Sequence, residues 1–151
     1  MPCSLSSVSS RALTLLALVV ALLASLGVTA PHASAATTGS RVVAEAAKHQ
    51  GAPYKYGATG PTRFDCSGYT RYVYSRFGKS LPHSSSQQYS RTHHVAKSSK
   101  QVGDLIFFKS GSSITHVGIY AGSGTMWDAP KSGDVVKHRK IYSSNYVVGR
   151  P

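Results

Sequence analysis

The stretch Phe64-Asp-Cys-Ser-Gly-Tyr-Thr-Arg-Tyr-Val-Tyr-Ser-Arg-Phe77 decides how this chain folds. Asp65 is a favourable helix N-cap and Gly78 is a favourable stop, so the pattern predicts a helix that begins at Cys66. Apolar side chains recur along it at steps of three and four residues, which places them on one face that can pack against a sheet. The residues on this face are Tyr69, Tyr72, Val73 and Phe77.

Cys66 lies in the first turn of this predicted helix. The positive end of the helix dipole favours a thiolate there, and the thiolate is the nucleophilic form of cysteine. A free cysteine is more commonly a small buried apolar side chain than a reactive group. The position of Cys66 alone leaves both interpretations open.

A long apolar run covers residues 12–30, and Ala33-Ser-Ala35 follows it as a small-residue processing site. These features predict a secretory signal peptide over residues 1–35, with Ala36 as the new N-terminus. The run is also long enough to span a bilayer, so an uncleaved anchor is the alternative, which the processing site disfavours. Cys3 precedes the apolar run and is expected to leave with the signal peptide.

Residues 36–151 would then form the exported protein. We expect a short polar tail over residues 36–40 and a single domain over residues 41–151, because this length suits one hydrophobic core. Cys66 is the one cysteine left, so the domain is predicted to fold without an internal disulfide. We expect a monomer with no stable membrane anchor after processing.

The chain is strongly basic, with 17 Lys and Arg against five Asp and Glu and a formal net charge of +12 at pH 7. Since only Arg11 lies in the predicted signal peptide, the exported domain keeps a charge of about +11. Such a charge keeps a protein soluble and suits polyanionic surroundings, such as a cell wall or an anionic membrane surface. Nucleic acid is the least favoured partner, because the basic residues are scattered and no RNA-binding signature accompanies them.

The remaining pattern predicts helices first and strands afterwards. A helix capped by Ser40 is expected over residues 40–50, a loop rich in Gly and Pro over 51–61, and a short serine-capped helix within 81–90. Residues 91–101 are polar and are predicted to be weakly structured. Strands are predicted at residues 104–108, 116–120, 125–128, 135–138 and 146–148. This order indicates an α+β fold in which N-terminal helices pack against one side of a meandering antiparallel sheet.

A thiol nucleophile needs a base within hydrogen-bonding distance, and that base usually needs a third group to orient it. His116 is the candidate base, because it opens an apolar strand directly after a polar loop, where a side chain can project from the end of a sheet. Asp128 lies on the next predicted strand, and a hairpin turn at residues 122–124 would bring it beside His116 to accept a ring N–H. The alternative is that both are strand-end residues without a catalytic role.

The other histidines of the predicted domain lie in polar or basic surroundings and are expected at the surface: His49, His83, His93, His94 and His138. The adjacent pair at 93 and 94 has no cysteine or carboxylate near it, so we predict no metal site there. The proposed chemistry also needs no cofactor.

Five motifs occur in order along the chain: Gly-Ala-Pro-Tyr-Lys-Tyr-Gly, Phe-Asp-Cys-Ser-Gly, Leu-Pro-His-Ser-Ser-Ser-Gln-Gln, Val-Gly-Asp-Leu-Ile-Phe-Phe and His-Val-Gly-Ile-Tyr. Their order and spacing resemble those of the NlpC-type cell-wall peptidases, a papain-like family of cysteine peptidases. The resemblance runs from about Val42 to Tyr142 and implies a papain-like α+β core, with the nucleophile on a helix packed against an antiparallel sheet. It also implies hydrolysis of amide bonds in peptidoglycan stem peptides, typically between γ-D-glutamate and a diamino acid.

Carried over to this chain, the resemblance assigns the nucleophile to Cys66 and the base to His116. Among the substrate-binding positions, Tyr54 corresponds to a tyrosine that flanks the catalytic cysteine. Asp65 and Ser67 correspond to positions that hold the N-terminal amine and the backbone of the substrate.

Three further positions belong to the same comparison. Ser85 falls on the serine of the family's Arg-Thr-Ser stretch and is expected to face the cleft, whereas His83 replaces the arginine of that stretch. The third catalytic residue of the family is most often histidine, and here it is Asp128. A carboxylate can still orient the base, and it favours the imidazolium of a thiolate–imidazolium pair.

The sequence therefore predicts a secreted enzyme associated with the cell wall, with peptidoglycan stem peptides as substrates and anionic wall polymer as a second partner. One alternative is that the same scaffold acts as an N-acetylmuramoyl-L-alanine amidase or a cross-bridge endopeptidase. The other is an inactive basic relative that only binds the wall.

Overall fold

The computed structural model describes residues 37–151, which contain three helices and six strands. The helices are α1 (Thr38–Ala47), α2 (Cys66–Ser75) and α3 (Ser85–Arg91), and a 3₁₀ turn lies at Lys97–Ser99. The strands are β1 (His93–Val95), β2 (Leu105–Ser110), β3 (Ser113–Gly122), β4 (Thr125–Asp128), β5 (Lys137–Lys140) and β6 (Tyr146–Arg150).

The six strands form one antiparallel sheet in the order β1–β6–β2–β3–β4–β5. From β2 to β5 each strand pairs with the next one along the chain, whereas β6 returns to the free side of β2 and carries β1 at the edge. The predicted α+β fold with an antiparallel sheet is confirmed, and the meander within it covers β2 to β5.

Strand β3 lies at the centre of the fold, because all three helices contact it. Val117 and Ile119 alternate along β3 and are both completely buried among the helices. Burying a large apolar side chain contributes about 1.5–3 kcal/mol, so this cluster holds the helices on the sheet. Its other members include Val42, Ala46, Tyr69, Val73, Leu105 and Phe107.

Helix α2 forms as its sequence predicts. Asp65 is the N-cap, with a side-chain oxygen that accepts the N–H of Gly68 at 2.7 Å, and the helix ends at Ser75 just before Gly78, whose φ is 71°. On the predicted apolar face Tyr69 and Val73 are fully buried, while the two residues at its margins are only partly buried. Tyr74, outside that face, is also buried, and its hydroxyl donates to the carbonyl of Gly103.

Helix α1 begins earlier than predicted. Thr37, not Ser40, is its N-cap, because the Thr37 hydroxyl accepts the N–H of Ser40 at 3.2 Å. The helix also ends earlier, at Ala47 instead of residue 50, with Lys48 as its C-cap. The predicted polar tail over residues 36–40 is wrong for residues 38–40, which form the first turn of α1.

Two predictions for the second half of the chain are also corrected. Residues 91–101 are not weakly structured, because they contain β1 and the 3₁₀ turn. Strand β1 exists through its pairing with β6, a partner more than 50 residues away that no local pattern reveals. Strand β5 lies two residues later than predicted, because its register with β4 pairs Lys137 with Asp128.

The predicted signal peptide, its processing site and Cys3 lie outside the described residues. Within residues 37–151, α1 and α2 have ten residues each and α3 has seven. No helix of this part of the chain is long and apolar enough to cross a membrane.

Candidate active site

Cys66 is the first residue of α2 and is partly buried. The first N–H groups of a helix have no acceptor within the helix, so those of Cys66 and Ser67 are available to a ligand. Gly68 lets this helix start lie close to the preceding loop, since a Cβ on Gly68 would lie only 2.1 Å from the carbonyl oxygen of Ala58. The Cys66 thiol therefore lies at a helix start that packs closely against the backbone of the preceding loop.

A β-bulge sets the position of His116. The β2–β3 ladder pairs Phe108 with His116 and Lys109 with Ile114, which leaves Thr115 without a partner residue. The Thr115 hydroxyl donates to the carbonyl of Phe108 at 3.4 Å. Bulges often occur beside active sites, where they redirect a side chain. Here the bulge immediately precedes the candidate base.

The hairpin between β3 and β4 brings Asp128 to His116. Ser123 and Gly124 at the turn both have positive φ, 50° and 72°, as a type I′ turn requires. The Nε2–H of His116 donates to Oδ2 of Asp128 at 2.6 Å. Asp128 is fully buried and His116 is 8% exposed. The predicted contact is confirmed, and it leaves Nδ1 as the ring nitrogen available to the thiol.

The charge state of His116 follows from these neighbours. Burial disfavours the imidazolium and lowers the pKa of His116, but hydrogen bonds to Asp128 and Cys66, and the negative charges of both, outweigh burial. The net effect raises the pKa of His116 from 6.5 to about 9. The site therefore favours a protonated imidazole at neutral pH.

Arg139 is the residue of this site that sequence reasoning missed. Its Nε donates to Oδ1 of Asp128 at 3.0 Å and its Nη2 donates to Oδ2 at 2.5 Å. Asp128 pairs with Lys137, so Arg139 reaches the carboxylate diagonally across β4 and β5. The predicted fourth strand stopped at residue 138, one residue short of Arg139. A partner for Asp128 could have been expected on physical grounds, because a buried carboxylate needs a charged or hydrogen-bonding partner.

Asp65 binds four donors. Its Oδ1 accepts the N–H of Gly68 at 2.7 Å and the hydroxyl of Ser67 at 3.2 Å. Its Oδ2 accepts the N–H of Gly57 at 2.9 Å and lies 2.8 Å from Nε2 of His83. The prediction that His83 is simply a surface residue is wrong, because this contact holds it at the cleft beside the nucleophile.

His49 also differs from its predicted surface position. Its ring is half-buried and packs edge-on against Phe64 at 5.3 Å and Tyr72 at 5.0 Å. The remaining three, His93, His94 and His138, are exposed as predicted. Residues 37–151 contain no group of three or more His, Cys, Asp or Glu side chains placed to hold a metal ion.

A cleft of about 440 Å³ opens at Cys66, and its walls include the four predicted substrate-binding residues Tyr54, Asp65, Ser67 and Ser85. Burial, and then the charges of Cys66 and Asp65, raise the pKa of Tyr54, so its phenol stays protonated at neutral pH. Cys66 and the four predicted substrate-binding residues therefore line this cleft, while Asp128 is reached through His116, and all their roles stay predictions.

A larger cavity of about 590 Å³ lies between the start of α1 and the loop before β2. Its acidic group, Asp104, is already bonded to Arg150 at 2.7 and 2.8 Å. No cysteine or histidine lines it. The smaller cleft is therefore the candidate active site, because the candidate nucleophile Cys66 lines it and the candidate base His116 neighbours Cys66.

Comparison with known proteins agrees with this geometry. The model of the NlpC/P60 family matches residues 51–148. The chain belongs to the NlpC/P60 family. The resemblance predicted from the five motifs is thereby confirmed.

Three NlpC/P60 relatives illustrate the likeness. The probable endopeptidase p60 of Listeria monocytogenes is 49% identical over 111 residues, which are 72% of this chain and 22% of the relative. The bifunctional muramidase/DL-endopeptidase CwlT of Bacillus subtilis is 40% identical over 96 residues, which are 61% of this chain and 29% of the relative. The crystal structure of the NlpC/p60 domain of the peptidoglycan hydrolase SagA has 34% identity and a TM-score of 0.70, and the match covers 76% of this chain and 100% of that one.

The solved NlpC/P60 structures confirm the papain-like α+β architecture. The chain spans about a fifth of the length of the Listeria relatives. The shared part of these proteins is therefore the NlpC/P60 domain.

Proposed function

We propose that this protein is a secreted cysteine endopeptidase that hydrolyses peptidoglycan stem peptides between γ-D-glutamate and a diamino acid. The observation that carries the proposal is a thiol at a helix start, Cys66, beside an imidazole, His116, that is hydrogen-bonded to the buried carboxylate of Asp128. The descriptions of its relatives as endopeptidase, DL-endopeptidase and peptidoglycan hydrolase support the substrate class.

Cys66 gives its proton to Nδ1 of His116, and the raised pKa of His116 keeps that proton on the imidazole at neutral pH before the attack. The helix dipole and this imidazolium stabilise the thiolate, which attacks the scissile carbonyl carbon and pushes the C=O electron pair onto oxygen. Asp128 holds the ring by its other nitrogen and stabilises the positive charge.

Two donors are available to the resulting oxyanion. One is the N–H of Cys66, which has no acceptor within α2. The other is the phenol of Tyr54, which remains protonated because burial and the nearby negative charges raise its pKa. A preorganised donor of this kind lowers the barrier by about 3 kcal/mol.

Collapse of the intermediate breaks the amide bond. His116 gives its proton to the leaving amine, and Cys66 keeps the acyl group as a thioester. Water then gives a proton to His116 as it attacks the thioester, and collapse of this second intermediate breaks the C–S bond, which releases the acid product and leaves the sulfur as thiolate beside the protonated imidazole.

The substrate's N-terminal amine would bind at Asp65. Because four protein groups already donate to this carboxylate, the incoming amine has to displace one of them. His83 is the one we expect to yield, since Gly57 and Gly68 donate from the backbone and Ser67 is 6% exposed, whereas the His83 side chain is 26% exposed on the cleft wall. Ser67 and Ser85 would contact the substrate beside it.

Replacement of the nucleophile tests the function. Cys66→Ala is expected to abolish the release of stem-peptide fragments from purified peptidoglycan while leaving the folded structure and thermal stability intact. Arg71→Ala, an exposed position on the same helix, is the matched control and should retain activity. A Cys66→Ala variant that still cleaves muropeptides would rule out the proposal.

Mass spectrometry of the products identifies the bond. Fragments that begin with the diamino acid support the proposed specificity, whereas free stem peptides with an N-terminal L-alanine would indicate an amidase, and cleaved cross-links a cross-bridge endopeptidase. Alkylation of Cys66 faster than a model thiol near neutral pH separates an enzyme from an inactive wall-binding relative.

A further inference from the structure

We propose that Arg139 is a positioning residue of the catalytic centre, whose guanidinium fixes the Asp128 carboxylate in the orientation in which one oxygen meets the His116 ring. The proposal rests on the cysteine peptidase function proposed above. It concerns how the third member of the catalytic group is held, not which reaction the group performs.

The first argument is the two-point contact. Arg139 donates to Oδ1 of Asp128 at 3.0 Å and to Oδ2 at 2.5 Å, and Oδ2 also accepts from His116 at 2.6 Å. A carboxylate held by one hydrogen bond can turn about its Cβ–Cγ bond, whereas a planar fork that binds both oxygens fixes its plane. Since Asp128 is fully buried, these two side chains determine its orientation.

The second argument is that Arg139 is itself held in place. Its guanidinium lies 4.5 Å from the ring centroid of Tyr142. Tyr142 stacks on Phe108 at 4.3 Å and an interplanar angle of 7°, and the ring of Phe108 lies 5.8 Å from that of His116. The five side chains therefore form a closed circuit that begins and ends at His116. This circuit gives the half-exposed ring of Tyr142 a structural role.

The third argument is charge. Arginine is a permanent cation, so Arg139 shares the negative charge of Asp128 with the imidazolium. The nearby titratable groups include acids, phenols and the thiol itself, namely Cys66, Tyr69, Asp134 and Tyr142, and Lys137, the cation paired with Asp128 across the strands, is bonded to Asp134 at 2.6 Å. Arg139 is thus the fixed positive charge that offsets the carboxylate.

The test uses three variants of the full protein. Arg139→Gln removes the charge and the fork, and Arg139→Lys keeps the charge but loses the fork. Arg150→Gln is the matched control, because Arg150 binds a 3%-exposed carboxylate, Asp104, through the same two-point contact at 2.7 and 2.8 Å, outside the candidate active site. Each variant is measured for kcat, KM and thermal unfolding, and the His116 ring is titrated by NMR.

We expect Arg139→Gln to lower kcat about tenfold or more with little change in KM, because the misplaced ring affects proton transfer and not binding. Arg139→Lys should recover part of this loss, and Arg150→Gln should keep the wild-type kcat. The titration midpoint of His116, about 9 in the wild type, should rise in Arg139→Gln, because the carboxylate charge is no longer shared. It should stay close to the wild-type value in Arg139→Lys.

Two results would overturn the proposal. One is an Arg139→Gln variant with wild-type kcat and an unshifted His116 titration. The other is that Arg139→Gln and Arg150→Gln both lose kcat, each in proportion to the fraction of its protein that is unfolded. Because the titration needs no turnover, it decides the role of Arg139 even if the wild-type protein fails to cleave peptidoglycan, a failure that would count against the proposed function alone.

Discussion

In the proposed mechanism His116 transfers protons at one ring nitrogen while Asp128 holds the other, so the two residues should differ in importance. Asp128→Asn keeps an acceptor oxygen for the ring N–H, whereas His116→Ala removes the base altogether. We expect Asp128→Asn to lower kcat/KM about tenfold and His116→Ala about a thousandfold or more. Initial rates on a defined muropeptide at pH 7 measure both effects.

The control for this pair is Glu45→Gln, which changes an acid on α1 that is bonded to Lys48 outside the cleft. It should leave kcat/KM unchanged. Equal losses in Asp128→Asn and His116→Ala would mean that the charge of Asp128, and not its ability to orient the ring, is what catalysis needs.

The raised pKa of His116 predicts the basic limit of activity. Below about pH 9 the imidazole is protonated and can give its proton to the leaving amine, and above that pH it cannot. We expect kcat/KM to fall as the pH rises through about 9. In Asp128→Asn the fall should begin at lower pH, because the carboxylate that raises the pKa is gone. A pH profile with its basic limit in the same place in both proteins would contradict this account.

The same shift links stability to pH. The pKa of His116 is about 9 in the folded protein and 6.5 as an unperturbed group, so its ion pair stabilises the fold fully below about pH 6.5. This contribution, up to about 3 kcal/mol, is lost as the pH rises from 6.5 through 9. Chemical denaturation at pH 6 and pH 10 should show the loss in the wild type and a smaller one in His116→Gln.

The sequence predicted the candidate catalytic residues that stand out from the others of their type. Cys66 was the one cysteine left after the signal peptide, His116 the histidine that opens an apolar strand, and Asp128 one of only five acids. Arg139 was missed because the domain contains many Lys and Arg, and only the register of β5 against β4 distinguishes the one that reaches Asp128.

The start of α2 is the element on which the site depends most. Gly68 lies in its first turn, where a Cβ would come within 2.1 Å of the Ala58 carbonyl oxygen. Helix propensity alone would make Gly68→Ala stabilising by about 1 kcal/mol. We expect the opposite, a loss of about 2 kcal/mol or more, because the helix start has to move away from the loop. Cys66 would move with it, and kcat should fall.

Thermal and chemical unfolding of Gly68→Ala measure this effect, with Arg71→Ala as an exposed alanine substitution in the same helix. The control should stay within about 0.5 kcal/mol of the wild type. A Gly68→Ala protein that is more stable than the wild type and fully active would show that the loop yields easily, and that the close approach is not required.

The elements that the sequence predicted correctly are those with local signals. Helix α2 has a cap, a periodic face and a stop within 15 residues, and the β3–β4 hairpin has its turn at Ser123 and Gly124. Strand β1 has none of these, because its three residues are largely exposed and it forms only by pairing with β6 at the other end of the chain. Long-range pairing of this kind cannot be recognised from local periodicity.

Across the whole molecule the charges are distributed unevenly. All five Asp and Glu side chains take part in salt bridges, namely Glu45, Asp65, Asp104, Asp128 and Asp134. Of the Lys and Arg residues in 37–151, only four are bonded to them: Lys48, Lys137, Arg139 and Arg150. The other Lys and Arg side chains of this part of the chain form no salt bridge with Asp or Glu, so the charge presented to a partner is positive.

This excess charge predicts that the protein adheres to anionic wall polymer by electrostatic attraction. Exposed charges are screened over about 3 Å at 1 M salt and about 8 Å at physiological ionic strength, so 1 M NaCl should release the protein from isolated cell walls. Cys66→Ala should bind and elute like the wild type, which excludes release through digestion of the wall. Sucrose at equal osmolarity is the control and should release none. Retention on the wall at 1 M NaCl would mean that shape-specific contacts in the cleft, and not the net charge, hold the protein there.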